Sequence, residues 1–138
     1  MDNIQNQSKP QLTVLIVDDD ADHRNAIAFH FRRSGFLVHL AESGGEAWKI
    51  CQEQPVHLIL TDVCMPGGTG IQLLNLVRER HSADPAVFLM SGHALMDLSR
   101  AQEWGADAVF EKPLDRNALL TAFQAVMDAK MKGGRHEC

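Results

Sequence analysis

Five short apolar runs recur along the chain, each separated from the next by a segment with helical spacing. The runs are LTVLIV (12 to 17), FLVHL (36 to 40), VHLIL (56 to 60), AVFLM (86 to 90) and DAVFE (107 to 111). They have the length of ordinary strands and are rich in β-branched residues. Between the first two, ADHRNAIAFHFRRSG sets Ile27 and Phe31 four apart and stops at Gly35, a residue suited to a left-handed C-terminal cap. SGGEAWKICQEQ opens on Ser43 with Glu46 three residues on, the spacing of a capping box, and Pro55 follows its end. GIQLLNLVRERH puts Ile71, Leu74 and Val77 on one stripe and Arg78 and Arg80 in the last turn, where positive charge suits the helix dipole. ALMDLSRAQEWG ends at Gly105, and DRNALLTAFQAVMDAK starts at an Asp115 cap and aligns Leu119, Phe123 and Val126.

This alternation leaves almost no room for hairpins. It predicts a parallel sheet covered by helices on both faces, and right-handed crossovers make that a doubly wound α/β fold of five strands and five helices. Such sheets carry their sites beyond the carboxyl ends of the strands, where strand order reverses. Function is therefore to be sought at the strand-to-helix junctions.

A chain of 138 residues, 45% hydrophobic, has the length for one such domain and not for a second. The expected division is a polar disordered leader over 1–10, the domain over 11–130 and a flexible tail over 131–138. A net charge of -5 with no basic stripe argues against direct binding of nucleic acid. No apolar run is long enough to span a membrane, and the first residues lack the features of a secretory signal. Cys51, Cys64 and Cys138 are scattered and odd in number, which suits reduced thiols in a cytoplasmic protein. Trp48 and Trp104 read as packing residues at helix ends, and His39 and His57 as edge or strand-end residues. Leu120 and Met127 lie off the main stripe of the last helix, where either a partner-binding face or a broad core stripe accounts for them.

The first junction reads VDDDAD, three consecutive carboxylates with no base among them. Asp20 and Asp22 suit the cap and first turn of the helix that follows. Asp18 and Asp19 remain, and the other junctions add Asp62 after the third strand, Ser91 after the fourth and Lys112 after the fifth. Two unit charges about 4 Å apart repel by about 4 kcal/mol at an effective dielectric near 20. Lys112 alone sets one positive charge against these three carboxylates and leaves a deficit, so a hard divalent cation is called for. Mg²⁺ prefers oxygen ligands, few protein carboxylates and a phosphate oxygen, which makes phosphoryl transfer the natural chemistry. In that scheme Asp62 is the nucleophile and forms an acyl phosphate. Lys112 neutralises the phosphoryl oxygens, Ser91 donates to one of them, and Asp18 and Asp19 stand on the metal side. Pro66, Gly67, Gly68 and Gly70 let the backbone after Asp62 bend tightly.

Together LIVDDD, DVCMPGGTG, the Ser91-Gly92 pair and GADAVFEKP resemble the receiver domain of bacterial two-component response regulators of the chemotaxis-regulator kind, over about residues 11 to 130. The resemblance implies a flavodoxin-like fold with strand order 2-1-3-4-5 and a signalling switch rather than an enzyme that turns over. Asp62 would accept a phosphoryl group from a histidine kinase, a phosphotransfer protein or a small phosphodonor. Asp19, Asp62 and the backbone carbonyl of Cys64 would bind Mg²⁺, with Asp18 acting through water. Phosphorylation would reshape the face of the fourth helix, fifth strand and fifth helix toward a downstream effector or output domain, in a monomer or a phosphorylation-linked homodimer. It also implies a cis bond between Lys112 and Pro113, and it puts His93 at a position that in the family influences dephosphorylation, where either such a role or a solvent-facing loop histidine accounts for it. The family's usual aromatic residue three places before the lysine is replaced by Val109, with Phe110 one place later. Strand alternation turns Phe110 to the core, so that activation would travel through the loops and the fourth helix. A competing reading, a haloacid-dehalogenase-like Mg²⁺ phosphohydrolase with its nucleophile after the first strand, needs a motif that Asp18, Asp20 and Ala21 match incompletely.

Overall fold

The computed structural model describes residues 11–65, 69–80, 84–92 and 98–136. Its elements are β1 (Thr13–Val17), α1 (Ala21–Arg33), β2 (Leu37–Ala41), α2 (Gly44–Glu53), β3 (Leu58–Asp62), α3 (Gly70–Arg80), β4 (Ala86–Ser91), α4 (Leu98–Glu103), β5 (Ala108–Glu111) and α5 (Arg116–His136). The strands form one five-stranded sheet in the order β2-β1-β3-β4-β5, and every neighbouring pair is parallel. This is the doubly wound fold that the alternation of runs predicts.

Alternation along the strands divides the core in two. Leu15, Val17, Ile59, Val87 and Leu89 face Ala47, Leu73, Leu74, Val77 and Ala101 of α2, α3 and α4. Val14, Ile16, Leu58, Leu60, Phe88 and Met90 face Ile27, Phe31, Leu119 and Phe123 of α1 and α5. Leu120 and Met127 pack against this second core, so a broad apolar stripe accounts for both.

The helix ends follow the local sequence closely. Asp20 caps α1, its side chain accepting from the amides of Asp22 (3.0 Å) and His23 (3.2 Å). Gly35 and Gly105 end their helices at φ 95° and 104°, the left-handed region that glycine enters at little cost. Ser43 accepts from the Glu46 amide (3.2 Å). The return bond of the capping box goes one residue further back than expected, since Glu46 Oε1 accepts from the Glu42 amide (2.7 Å).

Other details differ from the sequence reading for identifiable reasons. β3 begins at Leu58 rather than at 56 and ends at Asp62. The Thr13 amide donates to the ring Nδ1 of His57 (3.0 Å) while the His57 amide donates to the Thr13 carbonyl (2.9 Å). A side chain thus takes the place of a ladder carbonyl, and regular pairing starts one residue later. On α3 the buried positions are Gly70, Leu73, Leu74 and Val77, with Ile71 at the border. Trp104, expected to pack, is exposed, because it falls in the turn after α4. α5 continues to His136, past the expected boundary at 130, although Gly133 and Gly134 are poor helix formers. Residues 1–10 lie outside the described residues.

Arg78 does more than suit a helix dipole. Its guanidinium donates to the carbonyls of Gly105 (2.8 Å) and Pro85 (2.8 Å) and to Asp107 Oδ2 (3.0 Å). The same carboxylate oxygen accepts from the Val87 amide (2.9 Å), so one side chain ties α3 to the starts of β4 and β5. Replacing it with Leu strands two carbonyls and a partly buried carboxylate. Arg78→Leu is expected to lower unfolding stability by about 2–4 kcal/mol in urea melts, a cost of the kind that follows loss of one partner of a buried charged pair.

Candidate functional site

The strand order reverses between β1 and β3, since the chain passes from β1 out to β2 and returns to β3 on the other side. Their carboxyl ends therefore face a crevice. Asp18 and Asp19 follow β1, Asp62 is the last residue of β3, Ser91 the last of β4, and Lys112 follows β5. Backbone bonds fix these ends to one another. The Asp18 amide donates to the Ala41 carbonyl (3.1 Å), that of Val63 to Met90 (3.0 Å), and that of Lys112 to Ser91 (2.8 Å). Ser91 is half-buried and opposite Glu111 in the register.

Carboxylate oxygens of Asp18, Asp19 and Asp62 lie within 4.8 Å of one another. Lys112 Nζ stands 2.8 Å from Asp62 Oδ2 and 3.9 Å from Asp18 Oδ2. Burial separates the three acids, for Asp18 is wholly buried, Asp62 nearly so, and Asp19 exposed. Asp18 accepts at Oδ1 from the Asp20 amide (2.9 Å) and at Oδ2 from the ring Nδ1 of His23. Its backbone carbonyl accepts from Arg24 (2.7 Å). The sequence reading does not include His23 and Arg24. The available signal was positional, because the cap at Asp20 turns the first turn of α1 back over the strand end.

The electrostatics follow from this packing. Burial raises the Asp62 carboxyl above its ordinary value, and the charges of Asp18 and Asp19 add to the effect against the hydrogen bond and charge of Lys112. Burial pulls the Lys112 ammonium down, but the hydrogen bond to Asp62 and the charges of Asp62, Asp18 and Asp19 outweigh it, and the net shift is upward. The two shifts act oppositely on the pair's ionisation. We take the pair to be ionised near neutrality, because the 2.8 Å bond has the length of a charge-assisted one. Three hard oxygen donors that one ammonium does not neutralise suit a hard divalent cation.

The start of α3 approaches the end of β3 closely. The Gly70 amide donates to the Val63 carbonyl (2.9 Å), and a Cβ at Gly70 would overlap the Asp62 carbonyl oxygen. Cys64 is exposed beside the site, and no disulfide is formed among the described residues. Burial pushes the other described thiol, Cys51, up to about 11, which leaves it protonated and inert. The Lys112-Pro113 bond is cis, as is Asp84-Pro85. Val109 packs on the side of α2, α3 and α4, while Phe110 turns to the side of α1 and α5 with its ring 5.4 Å from that of Phe88. Pro66, Gly67, Gly68 and His93 lie outside the described residues.

The sequence profile of the response regulator receiver domain matches residues 14–124. The chain is 34% identical to the transcriptional regulatory protein FixJ of Azorhizobium caulinodans over 91% of its own length and 60% of that protein. It is 34% identical to an NtrX-like response regulator of Rickettsia felis over 80% of its length, which spans only 24% of that relative. Among solved structures, chemotaxis protein CheY4 of Vibrio cholerae aligns with a TM-score of 0.76 at 26% identity, over 85% of this chain and 99% of that one. A receiver domain protein from Methanospirillum hungatei, at 24% identity and a TM-score of 0.81 over 90% of this chain and 99% of that one, shares the fold. Neither the profile nor these relatives favour the haloacid-dehalogenase-like reading, and Asp18, its nucleophile, is buried with both oxygens engaged.

A raised carboxyl destabilises the folded state wherever it is ionised. That penalty is fully present above the raised value and vanishes as pH falls through it toward and below the ordinary 3.8. Asp62→Asn is therefore expected to raise the melting temperature of the cation-free chain at pH 7 in thermal scans. The difference between variant and wild type should shrink as the scans move toward pH 4.

Proposed function

The chain belongs to the response regulator receiver domain family, and on that premise we propose that it is a phosphorylation-activated signalling switch with Asp62 as its phosphoryl acceptor. The observation that carries the assignment is the 2.8 Å bond from Lys112 to Asp62 Oδ2 beside the convergent carboxylates of Asp18 and Asp19. With Oδ2 held by the ammonium, Oδ1 is the oxygen that attacks phosphorus. A P–O bond forms to Asp62 as the bond from phosphorus to the donor's leaving group breaks, and that group departs with the electron pair.

Asp19 and Asp62, with the backbone carbonyl of Cys64, would hold Mg²⁺, and Asp18 would serve through water. When bound, the metal neutralises negative charge on the transferring group. Lys112 balances the charge of the acyl phosphate, and the Ser91 hydroxyl donates to one of its oxygens. This chemistry uses each acceptor once per signal, which suits a switch rather than a classical enzyme.

The donor would be a sensor histidine kinase, a phosphotransfer protein or a small acyl phosphate. The readout would be a changed face of α4, β5 and α5 offered to a downstream effector or output domain, in a monomer or a phosphorylation-linked dimer. With Val109 where the family usually has an aromatic residue, and Phe110 held against Phe88, the change would travel through the loops and α4. We place the protein in the cytoplasm, with the domain starting near residue 11 and including the last helix to His136. Among the described residues no helix is long and apolar enough to cross a membrane.

Incubation with Mg²⁺ and a small acyl phosphate is expected to add one phosphate, seen by intact-mass spectrometry and removed by hydroxylamine. The adduct should be absent in Asp62→Asn and retained, at a lower rate, in Asp18→Asn. An adduct that survives in Asp62→Asn but not in Asp18→Asn would reverse the assignment.

A further inference from the structure

The Asp18 carboxylate is the one acid of the site with both oxygens committed to protein donors, the Asp20 amide at Oδ1 and the His23 ring at Oδ2. Asp19, its neighbour in sequence, is exposed. Asp62 is held through Oδ2 alone. His23 stands in the first turn of α1, about a quarter exposed at its side chain, and reaches the buried Asp18 from the solvent side. Any protonation state with a hydrogen on Nδ1 supplies this bond.

Resting on the reading of the site as a cation-assisted phosphoryl acceptor, we infer that His23 is a positioning residue that sets the cation preference of the site. Its N–H holds the Asp18 carboxylate back against the Asp20 amide, so that a cation meets Asp19 and Asp62 directly and Asp18 through water. A site with two direct carboxylates and room for water suits Mg²⁺, which dehydrates reluctantly and demands near-octahedral geometry. Without His23, Oδ2 of Asp18 keeps only the Lys112 ammonium at 3.9 Å and can turn to ligate directly. A third direct carboxylate favours Ca²⁺, which takes about six to eight oxygen ligands in flexible geometry. His23 thus discriminates between the two ions without touching either.

The test is isothermal titration calorimetry of the full chain with MgCl₂ and with CaCl₂ at one pH, for wild type, His23→Leu and His23→Asn, with folding checked by circular dichroism. The readout is the ratio of the Ca²⁺ to the Mg²⁺ dissociation constant. His23→Leu is expected to lower that ratio about five-fold or more, because ligand number and charge set the balance between the two ions. His23→Asn keeps an N–H donor near the Nδ1 position and should stay within about two-fold of wild type. Should His23→Leu fail to fold, His23→Ala is titrated in its place. An unchanged ratio in the variant without a donor, or the same fall in His23→Asn, overturns the inference. If wild type at the same time takes up phosphate on Asp62, the reading of the site stands and this inference alone is lost. If wild type binds neither ion in a manner that Asp62→Asn abolishes, both fall together.

Discussion

The convergence of three carboxylates at the end of a buried parallel sheet is the constraint that the rest of the structure answers to. Each pair held near 4 Å costs about 4 kcal/mol at an effective dielectric near 20, a large fraction of the net stability of a domain. The fold does not avoid the cost. It surrounds the acids with donors, namely the Lys112 ammonium on Asp62, the His23 ring and Asp20 amide on Asp18, and the Arg24 guanidinium on the Asp18 carbonyl. A site so arranged is suited to further positive charge.

Holding such a site together requires a rigid platform, and the two-faced core supplies it. β1 and β3 lie inside the sheet, and every residue of both is buried. The backbone bonds that tie Asp18, Val63 and Lys112 to the adjoining strands leave the acidic edge little freedom. The contrast between Val109 and Phe110 belongs here, because adjacent residues on β5 serve opposite faces, and an aromatic ring on one face cannot stand in for one on the other.

The order of elements was legible in the sequence because β-branched runs and helical spacing are strong local signals, and the chain follows them. The reactive groups Asp18, Asp19, Asp62 and Lys112 were legible for a related reason. A parallel sheet brings all strand ends to one edge, so position along the chain converts directly into position in space. What was not legible depended on contacts between elements. His23 carries only a positional signal, and its direction depends on the cap at Asp20. His57 read as a strand residue, yet its ring replaces a backbone carbonyl. Arg78 matched a dipole rule, while its partners lie at Pro85, Gly105 and Asp107, beyond the reach of any local pattern.

Asp18 and Asp19 show how two adjacent acids acquire different work from the same strand end. Successive side chains at the end of a strand diverge, so one carboxylate enters the protein while the other meets water. The buried one must be hydrogen-bonded in full, because a carboxylate without partners is expensive out of solvent. Once its oxygens are so committed, it contributes charge and fixed geometry more readily than a direct bond. The exposed one keeps its oxygens free and is the better ligand. Tandem acids at such a junction are therefore not duplicates, and the residue that decides their division is a histidine that belongs to neither the strand nor the acidic run.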